Sequence, residues 1–409
     1  MAPTTPFGDS ATAQPAGAAN GAKRTTEISG YESAYAKSSS SGSVAIARVY
    51  EAIQGHWYSA CLGVLLELNI ADILEKETQP ISVEDLAKKS DVSAPGVEYL
   101  YKVLRALAQW GILDEEAGKK FSANDSTRQL VRPPGQPTLG HFAHHQINQP
   151  KWDAWKVLPE AVRLGKTPFA VAHGTDMYGY DNKPENAAFH EEFMQSMTYF
   201  TKHSLDEGGQ VTLKDVYDWS QVGTVMDVGG ARGELLSRCM LYAGEKARGV
   251  LLDRPFVVAS VDVDATFEAK GVKSARERLS LVGTEDVRTP FPDAVKAAHV
   301  DTIIMKHFLS GFTDDDARIV LKHCGEVLEP NGKVLLLQTL VPEAGDRTNN
   351  VCEDGVAPGL FAIEILAMCP GGSWRTRSEW EEIFGSQSFK LDSSKPVGPN
   401  MHLMVWSKQ

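Results

Sequence analysis

The chain lacks a long apolar run, a cysteine cluster and a basic excess, and each absence removes a class of function. No stretch approaches the roughly 18 consecutive apolar residues of a membrane-spanning helix, so no transmembrane segment and no membrane partner are expected. The five cysteines (Cys61, Cys239, Cys324, Cys352 and Cys369) are scattered, with no Cys-x-x-Cys and no Cys/His cluster. That argues against a zinc site or a disulfide framework; the thiols read as buried structural residues in a reducing compartment, and no metal is expected. The formal net charge is −12 and no basic patch stands out, so no nucleic acid is expected among the partners. What is present is an ordinary globular composition, 42% hydrophobic and 23% charged, over 409 residues. That length accommodates two domains or one large one.

The chain is organised around residues 225–233, Val-Met-Asp-Val-Gly-Gly-Ala-Arg-Gly. The apolar lead-in suits a buried parallel strand, with Asp227 at its carboxyl end. Gly229, Gly230 and Gly233 turn the chain into a helix starting near Glu234, and glycines let the backbone approach a ligand closely. Gly249-Val250-Leu251-Leu252-Asp253 follows as a second apolar strand ending in an acid, about 20 residues on, where a ribose diol is bound in doubly wound sheets. Asp-x-Gly-x-x-x-Gly, rather than Gly-x-Gly-x-x-Gly, favours S-adenosylmethionine (SAM) over a dinucleotide: there is no pyrophosphate to cradle, and Asp227 would face the amino acid part of the ligand.

Residues 1–42 are rich in Ala, Thr, Ser, Gly and Pro and read as a disordered tail. With a single acid before residue 26 and Lys23-Arg24 within it, the tail has some character of an organelle transit peptide. The expected location is the cytoplasm, with chloroplast or mitochondrion as the alternative. Residues 44–76 carry helical apolar spacing through Val44, Ala47, Val49, Ile53, Trp57 and Leu65. Ser82 and Asp85 resemble a capping box, a helix follows over 96–110, and Ile112-Leu113 and Phe121-Ser122-Ala123 read as a hairpin. Helix–helix–helix–hairpin is a winged-helix arrangement, and on an acidic chain it serves dimerisation rather than DNA. More helix is expected over 138–165 and 184–208, with Phe189, Phe193, Met194 and Met197 on one face. From residue 224 strands alternate with helices. Strands are predicted at 224–228, 248–252, 278–282, 301–305, 333–338 and 400–406, and helices at 234–243, 314–328 and 378–385. The fold class is α/β, with boundaries at 43–205 for the helical winged-helix and lid domain and 206–409 for a Rossmann-like domain.

With these blocks in place, the chain resembles the SAM-dependent small-molecule O-methyltransferases of plants and fungi over roughly residues 44–408. The resemblance is carried by Asp227–Gly233, Leu252-Asp253-Arg254-Pro255, Asp286-Val287, Met305-Lys306, Pro330–Val334 and Pro370-Gly371-Gly372. It implies a class I methyltransferase domain with an N-terminal dimerisation domain, a homodimer and a small-molecule acceptor. It further implies that Gly229, Gly230 and Gly233 pass under SAM, and that Asp253, with Arg254 beside it, meets the ribose. Asp286 and Val287 would flank the adenine with Lys306 near it, and Thr201 would contact the SAM carboxylate. Phe193 and Met197 correspond to acceptor-pocket positions. Ala231 stands where the family has glycine, one methyl that the loop is expected to tolerate.

The family's His-Asp pair, whose histidine is the general base, falls on Ser310-Gly311, and its two orienting glutamates fall on Gln338 and Trp374. None of these can act as the base, and a hydroxyl methylated without one forfeits roughly 10²–10⁴ in rate. His307 is near, but strand alternation places it on the face opposite Lys306. A thioether carries no proton and removes the difficulty. The leading expectation is therefore S-methylation of a small thioether acid such as 4-methylthio-2-hydroxybutyrate, as in the similar methylthiohydroxybutyrate S-methyltransferases of dimethylsulfoniopropionate synthesis. Trp374 or Tyr199 would face the sulfonium; His144, His145, Arg375 and Arg377 are candidates for the carboxylate, and Ser310 for the acceptor wall. The alternatives are an O-methyltransferase with His307 or His144 as a displaced base, and a SAM-binding member that transfers no methyl.

Overall fold

The structure is a computed structural model that describes residues 41–207, 211–346, 357–397 and 401–409. The tail expected over 1–42 lies, up to residue 40, outside the described residues. Internal contacts divide the chain into a short unit ending at Trp57 and a large unit from Tyr58 to Gln409. The short unit contributes the first turns of the helix Ser41–Glu67, where Val49, Ile53 and Trp57 are exposed at 60%, 47% and 56%. Their helical spacing therefore does not mark a face buried within one chain. Among the described residues no single helix is long and apolar enough to cross a membrane.

In the large unit, Asn69 (φ 51°) breaks the helical run expected through residue 76, and the helix Ile70–Lys76 follows. The Ser82 hydroxyl oxygen accepts from the Asp85 backbone N–H (3.2 Å) and caps Val83–Lys89, as its sequence predicts. The predicted hairpin forms, but its first strand is β2 (Asp114–Glu116), just after the Ile112-Leu113 expected to open it, and it returns as β3 (Lys120–Ser122). A third strand, β1 (Ile81–Ser82), pairs with β3, so the sheet order is β1-β3-β2. Leu65, Ile70, Leu86, Leu104 and Phe121 form one core under it. Each buried side chain of this size contributes about 1.5–3 kcal/mol.

The second sheet has seven strands. They are β4 (Thr224–Val228), β5 (Arg248–Asp253), β6 (Leu279–Gly283), β7 (Val300–Lys306), β8 (Leu328–Gln338), β9 (Phe389–Val397) and β10 (Met401–Lys408). Their order is β6-β5-β4-β7-β8-β10-β9, parallel from β6 to β8 and antiparallel at β10 and β9. Every residue of β4 is buried, which is why it reads as a continuous apolar run. Period 2 divides the strands between two cores: Met226, Val250, Ile303 and Met305 point one way, and Val225, Leu251, Ile304 and Leu335 the other. The chain runs outward from β4 through β5 to β6, then returns to β7 and β8. The reversal leaves a crevice at the carboxyl ends of β4 and β7. Strand β9 went unpredicted because its sequence, FKLDSSKPV, is largely polar and contains Pro396, marks of an edge strand rather than a core one.

Candidate active site

The glycine turn is built by backbone needs. Gly229 has φ +71°, and its N–H donates to the Leu252 carbonyl oxygen (2.8 Å), joining the turn to β5. A Cβ on Gly229 would overlap the Phe308 ring, and one on Gly230 would lie 2.7 Å from Asp227 Oδ2. Ala231 adopts φ +49°, so the methyl that replaces the family's glycine is tolerated in a left-handed conformation that disfavours it. Asp253 braces the turn: Oδ2 accepts from Ala231 N–H (2.8 Å) and Oδ1 from Arg254 N–H (2.7 Å). Each oxygen keeps a further lone pair for a ligand hydroxyl. Burial raises the Asp253 carboxyl pKa, against those two N–H donors.

Asp227 is buried with Oδ2 unpartnered. Burial, then repulsion from Asp253, pushes its pKa up to about 7, with Lys306 opposing. Lys306 is driven down to about 7 by burial, with Asp227 opposing, and its ammonium sits 4.5 Å from the Phe200 ring centroid. A buried carboxylate oxygen without a partner, above a turn that excludes Cβ atoms and beside a second carboxylate with free lone pairs, fits SAM. Asp227 would meet its ammonium and Asp253 its ribose. Arg254 instead spends its guanidinium on Asn182 Oδ1 (2.6 Å) and Asp181 Oδ2 (3.0 Å). Asp286 and Val287 line the same cavity, with Asp286 held by Arg288 (2.9 Å). Thr201 lines it too, but its hydroxyl donates to Met197 O (3.0 Å) and must turn to reach a ligand carboxylate.

The cavity, about 560 Å³, continues between the helices Leu139–Ile147, Ala187–Lys202 and Pro358–Met368. Phe193, Met197, His145 and Trp374 line it. Five residues expected there do not, one of them Arg377, an exposed side chain whose Nε donates to Glu381 Oε1 (2.7 Å). Tyr199 lies on the other side of its helix, stacked on His203 at 5.5 Å. His144 is taken by Glu67 (2.9 Å) and Glu192 outside the cavity; burial opposes its protonation, but Glu192 prevails and its pKa is raised. Arg375 is buried and committed to Asp314 Oδ1 (2.8 Å) and the carbonyl oxygens of Leu309, Ser373 and Phe312, tying down the loop after β7. Ser310 is fully buried behind the wall, its hydroxyl donating to Gln338 Oε1 (2.8 Å). The residues at the family's base position and first glutamate position thus satisfy each other, sealed from the acceptor.

His307 overturns the face expected from alternation. Strand β7 ends at Lys306, and His307 has φ +51°, so the period-2 rule stops one residue too early to apply. Lys306 and His307 line the same cavity. The imidazole lies 5.3 Å from both Phe200 and Trp374, and both ring nitrogens are buried without a hydrogen-bond partner. Burial, reinforced by Lys306, holds its pKa well below the ordinary histidine value, so the ring is neutral at neutral pH. Trp374 stacks on Phe361 at 4.4 Å, extending the aromatic wall.

Fold and cradle together define a class I SAM-dependent methyltransferase, and comparison with known proteins agrees. The O-methyltransferase domain matches residues 155–390 and the O-methyltransferase dimerisation domain residues 50–132, so the chain belongs to the O-methyltransferase family. It is 27% identical over 353 residues to a mitomycin biosynthesis 6-O-methyltransferase of Streptomyces lavendulae, covering 86% of this chain and 90% of that one. The structure of the mitomycin 7-O-methyltransferase is similar with a TM-score of 0.74 at 25% identity, over 90% of this chain and 99% of that one. A methyltransferase of calicheamicin biosynthesis, solved in its S-adenosylhomocysteine-bound form, shares the fold with a TM-score of 0.69 at 24% identity, over 91% and 100% of the two chains. The two mitomycin relatives are named as O-methyltransferases.

Sequence reasoning missed Lys151, Gln146 and Glu364, which also line the cavity. Lys151 Nζ donates to Glu364 Oε1 (2.6 Å) and Gln146 Oε1 (2.9 Å), and Trp155 Nε1 donates to Glu364 Oε2 (3.0 Å). Lys151 and Glu364 are 213 positions apart, and no local spacing announces such a pair.

Proposed function

We propose that this methyltransferase acts on the hydroxyl of a small metabolite, with His307 as the displaced base. The observation that carries the reading is His307 itself: a neutral imidazole with two unpartnered nitrogens in the cavity that Lys306 shares. When bound, SAM supplies an electrophilic methyl group and leaves as S-adenosylhomocysteine. His307 accepts the hydroxyl proton as the acceptor oxygen forms its new bond to carbon, which is worth roughly 10²–10⁴ in rate. Lys306, with its pKa lowered to about 7, presents little positive charge to the ring at pH 8. Phe193, Met197 and the Trp374–Phe361 stack hold the body of the acceptor and exclude water. The O-methyltransferase relatives favour this reading.

A second reading is S-methylation of a thioether acid, the narrower resemblance to methylthiohydroxybutyrate S-methyltransferases. The closed Ser310–Gln338 pair favours it, since a thioether needs no base and the aromatic wall offers π-faces to a sulfonium. One experiment separates the two: methyl-labelled SAM with a catechol-type phenol and, in parallel, 4-methylthio-2-hydroxybutyrate. Label on the phenol supports His307 as base; label only in a sulfonium ends that reading in favour of the second. The dimerisation-domain match and the exposed Val49, Ile53 and Trp57 support a homodimer in which a second copy covers that face. Light scattering reads this directly, and a monomer at micromolar concentration would refute it.

A further inference from the structure

The polar cluster in the cavity wall has open hydrogen-bonding capacity that nothing in the methyl-transfer reading uses. Lys151 is almost fully buried, and two of its three N–H donors go to Glu364 and Gln146. Glu364 has both oxygens occupied, one by Lys151 and one by Trp155, so its charge is compensated within the wall. His145 is 1% exposed, with Nδ1 and Nε2 both unpartnered, and its ring is fixed at 5.2 Å from Phe189 and 5.3 Å from Phe193. Burial, then Lys151, then His144 lower its pKa well below the ordinary value, so the ring keeps one N–H to give. A buried polar side chain left without a partner costs about 1–3 kcal/mol, and a ligand that supplies the partner recovers it.

The other cations lining the cavity are spent. Arg232 holds Glu191 (2.5 Å), Arg254 holds Asp181, and Arg288 holds Asp286. Among the described residues of the cavity wall, Lys151 and Lys306 are the lysines, and Lys306 stands with Asp227 on the cofactor side. Trp374 Nε1 and the His307 ring are also unpartnered on the acceptor side, but the ammonium there is that of Lys151, and its third N–H stands with an imidazole N–H of His145, on which the Lys151 charge acts directly. A group with two acceptor oxygens on one carbon matches two such donors, and the charge-assisted bond to the ammonium favours its ionised form.

We propose that Lys151 and His145 receive the carboxylate of an acidic acceptor, making them specificity-determining residues of this enzyme. The inference rests on the methyl-transfer reading only for the cavity's being the acceptor site; it holds for either acceptor atom. The test is calorimetric binding to the full chain loaded with S-adenosylhomocysteine. The probes are two matched pairs: 3,4-dihydroxybenzoate and 3,4-dihydroxybenzamide, and 4-methylthio-2-hydroxybutyrate and its amide. At least one acid should bind about 10- to 100-fold more tightly than its amide. The preference should vanish in Lys151→Met/Glu364→Gln, which removes the ion pair together and leaves no buried charge unpaired. It should persist in Lys306→Met. His145→Phe keeps the ion pair and packs as its aromatic neighbours do; it reads the same preference, falling about 10-fold, even if the double variant does not fold. Equal binding of acids and amides, a preference that survives His145→Phe unchanged or is lost only in Lys306→Met, or no binding by either acid would each overturn the proposal. Methyl transfer to a phenol without acid preference would end this inference and spare the hydroxyl reading. Acid preference with label only in a sulfonium would do the reverse.

Discussion

The two halves of the cavity are built by different means. The cofactor half is built chiefly on backbone within residues 225–254, a glycine turn, two strand ends and N–H groups aimed at Asp253, with Asp286, Val287 and Lys306 added from other elements. The acceptor half is side chains brought together from four distant stretches, around 145–151, 193–201, 306–312 and 361–374. A backbone cradle tolerates few substitutions, because a Cβ at Gly229 or Gly230 has nowhere to go. A side-chain wall can be refitted one residue at a time, and under the proposed hydroxyl reading that refitting moves the base from position 310 to His307.

The contrast is sharpest where a substitution touches one half and leaves the other alone. His307→Phe keeps the aromatic stack with Phe200 and Trp374 and removes the imidazole nitrogens. Turnover on a hydroxyl acceptor should fall by roughly 10²–10⁴ while SAM binding is unchanged. Wild-type turnover should decline only below the ordinary histidine range, because the His307 pKa is lowered. An unchanged kcat in the variant would remove His307 from the chemistry.

Asp227→Asn probes the cofactor half. The folded, ligand-free protein raises the Asp227 pKa from 3.8 to about 7, so folding is favoured by the protonated form. That stability is present below the unfolded value and is lost as pH rises through about 7. The variant should therefore melt above the ligand-free wild type at pH 8, by up to about 4 kcal/mol in free energy, and the gap should close toward pH 4. SAM should at the same time bind more weakly to the variant. A pH-independent gap in thermal unfolding would show that Asp227 is not held in this way. Asp253→Asn should weaken SAM by about 1.5–3 kcal/mol, measured by calorimetry; an unchanged Kd would sink the assignment of the ribose site.

Ser310→Ala tests whether the sealed pair is structural. It leaves the Gln338 amide without its partner and should cost about 1–3 kcal/mol in denaturant unfolding, with turnover little affected, whereas Ser310→Ala/Gln338→Leu should recover most of that stability. A large loss of turnover at unchanged stability would return Ser310 to the acceptor site. The smallest effect expected is at Ala231, whose φ of +49° places a Cβ in the left-handed region. Ala231→Gly should raise stability by about 1 kcal/mol, and a lower melting temperature would mean that the turn is not strained.

The same division explains what could be read beforehand. The turn, Asp253 and strands β4 to β8 were legible because each is a local pattern: an apolar run that ends at glycine or acid in β4, β5 and β6, and a run bounded by polar residues in β7 and β8. Strand β9 was not, since an exposed edge leaves no hydrophobic signal. In the acceptor wall, Phe193 and Met197 were implied by the family resemblance, but Tyr199, two residues on, turns away because a helix advances about 100° per residue. Arg375 had the right charge and the wrong neighbours: its guanidinium is engaged by the Leu309 and Phe312 carbonyl oxygens of the loop after β7, by Asp314 and by the Ser373 carbonyl oxygen, and no residue spacing encodes that. His307 was misplaced by a rule whose domain ends with the strand, and Lys151 with Glu364 carried no local mark at all.

The Ser310–Gln338 hydrogen bond makes the loss of the family's base hard to reverse. Restoring histidine at 310 alone forces a larger ring into a fully buried site, and restoring glutamate at 338 alone buries a carboxylate against a hydroxyl, each at about 1–3 kcal/mol against a total of about 5–15 for a folded domain. A lineage carrying both residues stands on the far side of a stability barrier from its relatives. Its chemistry is then free to diverge only by further change around His307 and the aromatic wall, and not by retracing its steps.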